Sequence, residues 1–354
     1  MDVCPRIEID LSKIRANTQV LVDRCKNAGI QVAGVTKVFC AVPQVAEAMV
    51  EGGINMLADA RLENFGKIAH IPIQKLLLRL PMISQAEKVV SLVDISLNSE
   101  IATIKKLSEA SIKQGKVHKI ILMIDLGDLR EGIWSDQIHT TIKEITQLEG
   151  VQLVGIGTNL TCYGGVIPNP TNLGQLVNIA MEIEDTFQIR MEIISGGNSS
   201  SLYLLERGEM PKAINHLRLG ESIVLGRETA FGEPISGTYQ DAFTLIAEIV
   251  ELKEKPSVPI GEIGMDAFGN KPVFEDHGIR KRAILAIGRQ DVSVNNLIPK
   301  DEKISILGAS SDHLIVDVTD SLKEYSVGDE VAFDIEYGAL LQLMTSEYVF
   351  KKIK

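Results

Sequence analysis

The sequence predicts an α/β protein: a (β/α)8 TIM-type barrel followed by a mostly β C-terminal domain. Three observations carry this. Eight short apolar runs between residue 30 and about residue 226 alternate with longer amphipathic stretches. After about residue 237 the alternation stops, and strand-like runs are punctuated by Gly, Pro, Asn and Asp. The length, 354 residues, suits about two domains at roughly 150 residues each.

The opening RIEIDLSKIRANTQVL reads as a strand and then a helix that Asp10 or Ser12 could cap. The eight runs are QVAGVTK (31–37), INMLAD (54–59), KLLLRL (75–80), VDISL (93–97), KIILMID (119–125), QLVGIGT (152–158), MEIIS (191–195) and HLRLGESIVLG (216–226). Between most of them lie segments such as VPQVAEAMVEGG, in which apolar residues recur at spacings of three and four, as on one face of a helix. Strands alternating with helices imply parallel pairing and right-handed crossovers, and eight such units in about 200 residues fit a closed barrel better than an open sheet. The expected division is 1–237 for the barrel, from which the first strand could join the β domain, and 238–354 for the β domain. In that domain AFTLIAEIVELKEKP, KRAILAIGRQDV, KISILGASSDHLIVDV and DEVAFDIEYGALLQLM read as strands, and 257–278 as a long irregular loop of the kind that often carries function.

Composition narrows the function. The formal net charge of -11 disfavours a phosphate backbone as partner, so no nucleic acid is expected. No apolar run is long enough to span a bilayer, so no membrane is expected. The start MDVCPRIEID lacks a basic-then-apolar signal pattern, and Cys4, Cys25, Cys40 and Cys162 form no CxxC pair. A reducing cytoplasm is the expected compartment.

Barrel chemistry sits where strands end on their C-terminal side. The first barrel strand ends at Lys37, which is either a solvated strand-end lysine or a desolvated one suited to Schiff-base chemistry. The last two strands end in SGGNSSS (195–201) and LGES (219–222), whose small residues and hydroxyls are either plain turns or a phosphate cradle. Arg218, among apolar neighbours, must be paired or face a polar ligand. Asp125, Arg130, Thr158 and Asn159 complete the rim. A lysine facing a phosphate cradle suggests a phosphorylated aldehyde, pyridoxal 5'-phosphate (PLP), with an arginine or acid at its ring nitrogen.

These residues resemble the alanine racemase family of barrel-type PLP enzymes over nearly the whole chain. IEIDLSKIRANTQVL is similar to the family's opening EIDL…N…L, and GVTKVFC to its lysine motif, which makes Lys37 the Schiff-base residue. MIDLGDLREGI resembles KxDTGMxRxG, which maps a cofactor-contacting arginine onto Arg130. GGNSSS resembles the ANS phosphate motif at Asn198 and Ser199, and LRLGESIVLG resembles RxGIxLYG, which implies Arg218 at the pyridine nitrogen and Gly220 and Glu221 at the phosphate. ILGASSDHLIVDVTD and VGDEV resemble the family's C-terminal stretch, which implies Ser311 and Asp312 at the substrate, and FDIEYGALL implies Tyr337 at the phosphate.

The chain departs from the family at several places. A carbamylated lysine is replaced by Met123, a tyrosine by Ala41, and the barrel histidine by Asn159, also assigned to the cofactor. The segment matching the family's second catalytic tyrosine is GEIG (261–264), which has none. Asp266 is therefore assigned as the second acid/base, with Glu262 and His277 as alternatives. The overall pattern is similar to the ornithine racemase group of the family, so the resemblance implies PLP-dependent racemisation of a small basic amino acid by a head-to-tail homodimer with shared active sites. Asp128, Glu131, Glu221, Asp266 and Asp291 are candidates to read a terminal ammonium. Two other readings are a PLP-carrier barrel, which would lack residues 238–354, and a metal-assisted PLP aldolase or dehydratase acting on D-amino acids. EDHG and DHLIVD contain no HxC or HxD pair, so no metal is expected.

Overall fold

The computed structural model describes residues 3–266, 268–269 and 271–354, and it resolves into two units, 11–240 and 1–10 with 241–354. The first strand, β1 (Arg6–Ile9), belongs to the second unit. The boundary falls at 240/241, three residues beyond the change in sequence texture.

Unit 11–240 is a closed barrel of eight parallel strands: β2 (Gln31–Val35), β3 (Met56–Asp59), β4 (Gln74–Leu77), β5 (Ile95–Asn98), β6 (His118–Met123), β7 (Val151–Gly157), β8 (Ile193–Ser195) and β9 (His216–Leu219). Each lies within or beside one of the eight apolar runs. Helix α1 (Leu11–Asn27) leads into β2. Parallel strands need long crossovers, and here helices supply them, among them α2 (Pro43–Glu51), α3 (Ile101–Lys113) and α4 (Pro170–Phe187). The eighth run is not strand throughout: after Gly220 the residues Glu221–Leu225 turn into a short helix. Alternation along the strands sends Ala33, Val35, Met56, Ala58, Leu76, Ile95, Leu97, Ile121 and Met123 into one buried cluster in the lumen. Register then decides the opposite wall. Arg218 pairs with Ala33 and His216 with both Gln31 and Ser195, so the β8–β9 side of the lumen carries a serine, a histidine and an arginine.

The second unit is built on one long strand, β10 (Phe243–Pro256). Its first half pairs with β1 and with β15 (Glu330–Ile335), and its second half, beyond an irregularity between Ile249 and Glu251, with β11 (Ile279–Leu285). The sheet continues through β14 (Leu314–Asp317) to β13 (Ser305–Ala309) on one side, and ends at β12 (Leu297–Pro299) on the other. β16 (Phe350–Ile353) pairs parallel to β1. The DEVAFDIEYGALLQLM run is a strand only as far as Ile335. Tyr337–Thr345 is a helix that buries Ala339, Leu340, Leu343 and Met344, a helical spacing. The described residues of 257–278 form neither helix nor strand beyond 256. Among the described residues no helix is long and apolar enough to cross a membrane.

Candidate active site

The C-terminal rim of the barrel gathers the loops after β2, β6, β7, β8 and β9. Lys37 follows β2 and opens a short 3-10 turn. Its predecessor Thr36 donates from Oγ1 to Oδ2 of Asp59 at the end of β3. Asp59 is fully buried; burial raises its carboxyl pKa, while hydrogen bonds from Thr36, Asn64 and the Arg61 amide oppose the rise. The end of β2 is thus tied to its neighbour just before the lysine. Cys40 and Ala41 then both adopt left-handed backbone, at φ 54° and 49°, a sparsely populated conformation of the kind that clusters at functional sites. Lys37 itself is exposed, the solvated of the two settings that the sequence allowed.

Beside this lysine, at the ends of β8 and of β9, which neighbours β2, the two Gly/Ser clusters meet. Ser199 donates from Oγ to Ser222 Oγ at 2.9 Å and accepts from the Ser222 amide at 3.2 Å. Gly197, at φ 109°, leaves room that a Cβ would close against Ser201 Oγ at 3.1 Å, and a Cβ on Gly220 would press Val35 at 3.0 Å. The buried hydroxyl of Ser200 has no partner among the described residues. Small residues that let backbone amides approach an anion, beside a serine pair, suit a phosphate.

Arg218 is 4% exposed, and among the described residues its guanidinium donates to neutral acceptors. Nη1 donates to Ser195 Oγ at 2.5 Å, and Nη2 to the Thr158 carbonyl at 2.8 Å and Asn159 Oδ1 at 3.4 Å. Burial pushes it down to about 10, with Glu131 opposing and Arg130 adding, so it remains charged at neutral pH. Arg130 is clamped by both oxygens of Glu131 through Nε and Nη2. Asn159 lies between the cations. Its oxygen can accept from Arg130, 3.1 and 2.9 Å away, or from Asn198 Nδ2 at 3.1 Å and Arg218, but not from both sides. The site therefore has more donors than the described residues around it have acceptors. A phosphorylated, lone-pair-bearing pyridine ring fits that donor set, with Lys37 to hold an aldehyde, Arg218 a ring nitrogen and the 197–201 and 220–222 loops a phosphate.

Several of the expected residues have partners within the chain. Asn198 uses its amide within the protein, donating to Asn159, the Leu160 carbonyl at 2.9 Å and Cys162 Sγ at 3.4 Å, while accepting from Ser200 N at 2.8 Å. Asp128, considered as an ammonium reader, is 1% exposed and accepts from the amides of Cys162, Tyr163 and Val166. Asp291 is likewise buried and accepts from Ser346 Oγ at 2.7 Å. Asp266, Ser311, Asp312 and Tyr337 belong to the second unit. There Asp266 accepts from the Phe268 amide at 2.9 Å, Ser311 donates to Asp312 at 2.6 Å, and Tyr337 opens the last helix. Among the described residues no His, Cys, Asp or Glu group gathers as a metal site. Sequence reasoning missed Asp59 and His216, and it read Ser195 only as part of the Gly/Ser cluster, whereas its hydroxyl meets Arg218 and His216. The signal for His216 was its place two residues before Arg218 on one strand, which puts both on one face.

A closed barrel with a rim lysine, a lumen arginine that makes no ion pair among the described residues and a doubled Gly/Ser loop defines the class of (β/α)8 enzymes that hold a phosphorylated cofactor. The family described as alanine racemase, N-terminal domain, matches residues 9–228, and the chain belongs to it. It is 51% identical to an ornithine racemase of Acetoanaerobium sticklandii, with 99% of each chain covered. It is 43% identical to a lysine racemase of Thermotoga maritima over 99% of this chain and 98% of that one. Its fold matches that of an alanine racemase from Bartonella henselae with covalently bound pyridoxal phosphate, at a TM-score of 0.76, 17% identity and full coverage of both chains.

Proposed function

We propose that this chain is a PLP-dependent racemase whose preferred substrate is ornithine. The observation that carries the reading is the meeting of Lys37, Arg218 and the Ser199–Ser222 loop pair on adjacent strands of one barrel rim. The relatives that act on ornithine and on lysine support a basic substrate. When bound, PLP supplies an electron-accepting ring that acidifies the Cα–H of an attached amino acid. Lys37 holds the cofactor and moves a proton at Cα. Arg218 holds the ring nitrogen and, as a guanidinium that does not readily release its proton, keeps that nitrogen from being protonated. That restrains the sink and favours return of the proton to Cα over transamination. Ser199, Gly220 and Glu221 bind the phosphate, with Tyr337. Arg130 and Asn159 contact the cofactor, with Asn198 bracing the loop beside them.

On the opposite face Asp266 is the second acid/base, and Ser311 and Asp312 contact substrate. These come from a second unit whose long loop exposes Ile260, Met265 and Val273, which supports a head-to-tail homodimer with shared sites. Four free cysteines accord with a cytoplasmic setting.

A substrate ammonium removed from water requires a carboxylate, and a carboxylate left unpaired rejects an apolar substrate. Catalytic efficiency should therefore fall at least roughly 100-fold from ornithine to its uncharged isostere norvaline. Comparable efficiency on the two sinks the charged pocket and leaves racemisation standing.

A further inference from the structure

The barrel lumen holds a fully buried imidazole that none of these roles uses. His216 opens β9 two residues before Arg218, so both side chains take the lumen face. Between them stands Ser195, the register partner of His216 on β8. Ser195 Oγ lies 2.5 Å from Arg218 Nη1 and 2.9 Å from His216 Nδ1.

The proton count decides the directions. A guanidinium can only donate, so Ser195 Oγ accepts from Arg218. The serine hydroxyl hydrogen is then left for His216 Nδ1, which must be bare, and the ring proton sits on Nε2. In this arrangement one group, Nε2–H, lacks a partner among the described residues. The opposite tautomer strands two, the serine O–H and the Nε2 lone pair. Burial works in the same direction and, with the charge of Arg218 adding, pushes His216 down to about 3, so the ring is neutral.

We infer that Ser195 and His216 are positioning residues for Arg218, a neutral imidazole ending a one-way relay from guanidinium to hydroxyl to ring. The relay engages Nη1, and the Thr158 carbonyl engages Nη2 at 2.8 Å. Nε–H is left without a protein partner among the described residues, as the donor available to a ring nitrogen. Without an acceptor at the far end the serine hydroxyl turns freely, and the guanidinium plane loses one of its anchors. This inference rests on the racemase reading and deepens it by naming what orients its key cation.

The test has two arms. In the holoenzyme with 15N-labelled histidine, the His216 resonances are identified by their loss in His216→Asn. They should show the Nε2–H tautomer at neutral pH, and in Ser195→Ala the Nδ1 shift should move toward that of a free imine nitrogen. An Nδ1–H ring or an imidazolium in the wild type overturns the relay, and this readout stands even if no amino acid is racemised. In the second arm, His216→Leu should lower kcat roughly 10-fold, the rate equivalent of one neutral hydrogen bond, with KM within about 2-fold and a larger share of turnovers ending in transamination. His216→Asn, whose Oδ1 stands near the position of Nδ1, should recover to within about 3-fold of wild type. Equal losses in Leu and Asn variants that both fold would overturn the positioning role. Failure of the wild type to racemise anything would instead overturn the proposed function.

Discussion

Replacing Asp128 with alanine should free the loop that frames the arginine side of the site. The carboxylate accepts from three amides, those of Cys162 at 3.3 Å, Tyr163 at 3.0 Å and Val166 at 3.1 Å, while the Asp128 carbonyl accepts from Gly164 at 3.1 Å. Hydrogen bonds to a charged group contribute about 1.5–3 kcal/mol each, but three on one carboxylate do not add, and exposed amides regain water. The expected loss is therefore about 3 kcal/mol for Asp128→Ala and about half that for Asp128→Asn, which keeps one acceptor oxygen. For a unit of this size the alanine variant should melt roughly 6–12 °C lower. The local readout is chymotrypsin cleavage after Tyr163, which is 76% exposed but held in place through its amide. A 3 kcal/mol rise in loop opening is about 100-fold in the cleavable population, and cleavage should accelerate by that factor. Unchanged cleavage and a melting point within about 1 °C of wild type would refute the bracing role assigned to this carboxylate.

Three further outcomes follow from the same structure. Borohydride reduction of the holoenzyme and peptide mapping should place the pyridoxyl group on Lys37, and an adduct on another lysine refutes that assignment. Gly288→Ala should lower stability by about 3 kcal/mol or more in thermal melts, because its Cβ would meet the Ser311 carbonyl oxygen at 2.1 Å, backbone that cannot give way. Burial holds His118 near 4 and His216 near 3, below the roughly 6.5 of free imidazole, so the unfolded chain binds more protons between those values. Stability is then full above about pH 6.5 and falls on acidification, by on the order of 2 kcal/mol per histidine at pH 5, and His118→Gln should shallow the fall in urea titrations. A flat profile from pH 7 to 5 contradicts it.

Much of this was legible in the sequence because the physics behind it is local. Apolar runs separated by helical spacings located all eight barrel strands, and the strand-end rule pointed to Lys37, Arg218 and the Gly/Ser loops. What escaped notice depended on register or on a competing period. HLRLGESIVLG reads as one apolar run, yet the chain turns at Gly220 into a helix that buries Ser222, Ile223, Val224 and Leu225. EYGALLQLM has β-like hydrophobicity, but its buried residues at 339, 340, 343 and 344 follow a helix. Ser195 and His216 are 21 residues apart, and only the pairing of β8 with β9 joins them. Asp128 offered a charge to the reader of the sequence, and only its burial shows that the charge is spent on its own loop. That the first strand could join the β domain was legible, but its partners there, β10 and β16, are set by long-range pairing that no local pattern specifies.

Racemisation of ornithine is tested by incubating the purified protein with PLP and either L-ornithine or D-ornithine, and following both enantiomers by chiral chromatography. Each run should converge on equal amounts of the two forms, with little keto acid. Conversion to keto acid or to a cleavage product, or no conversion of either enantiomer, would contradict racemisation.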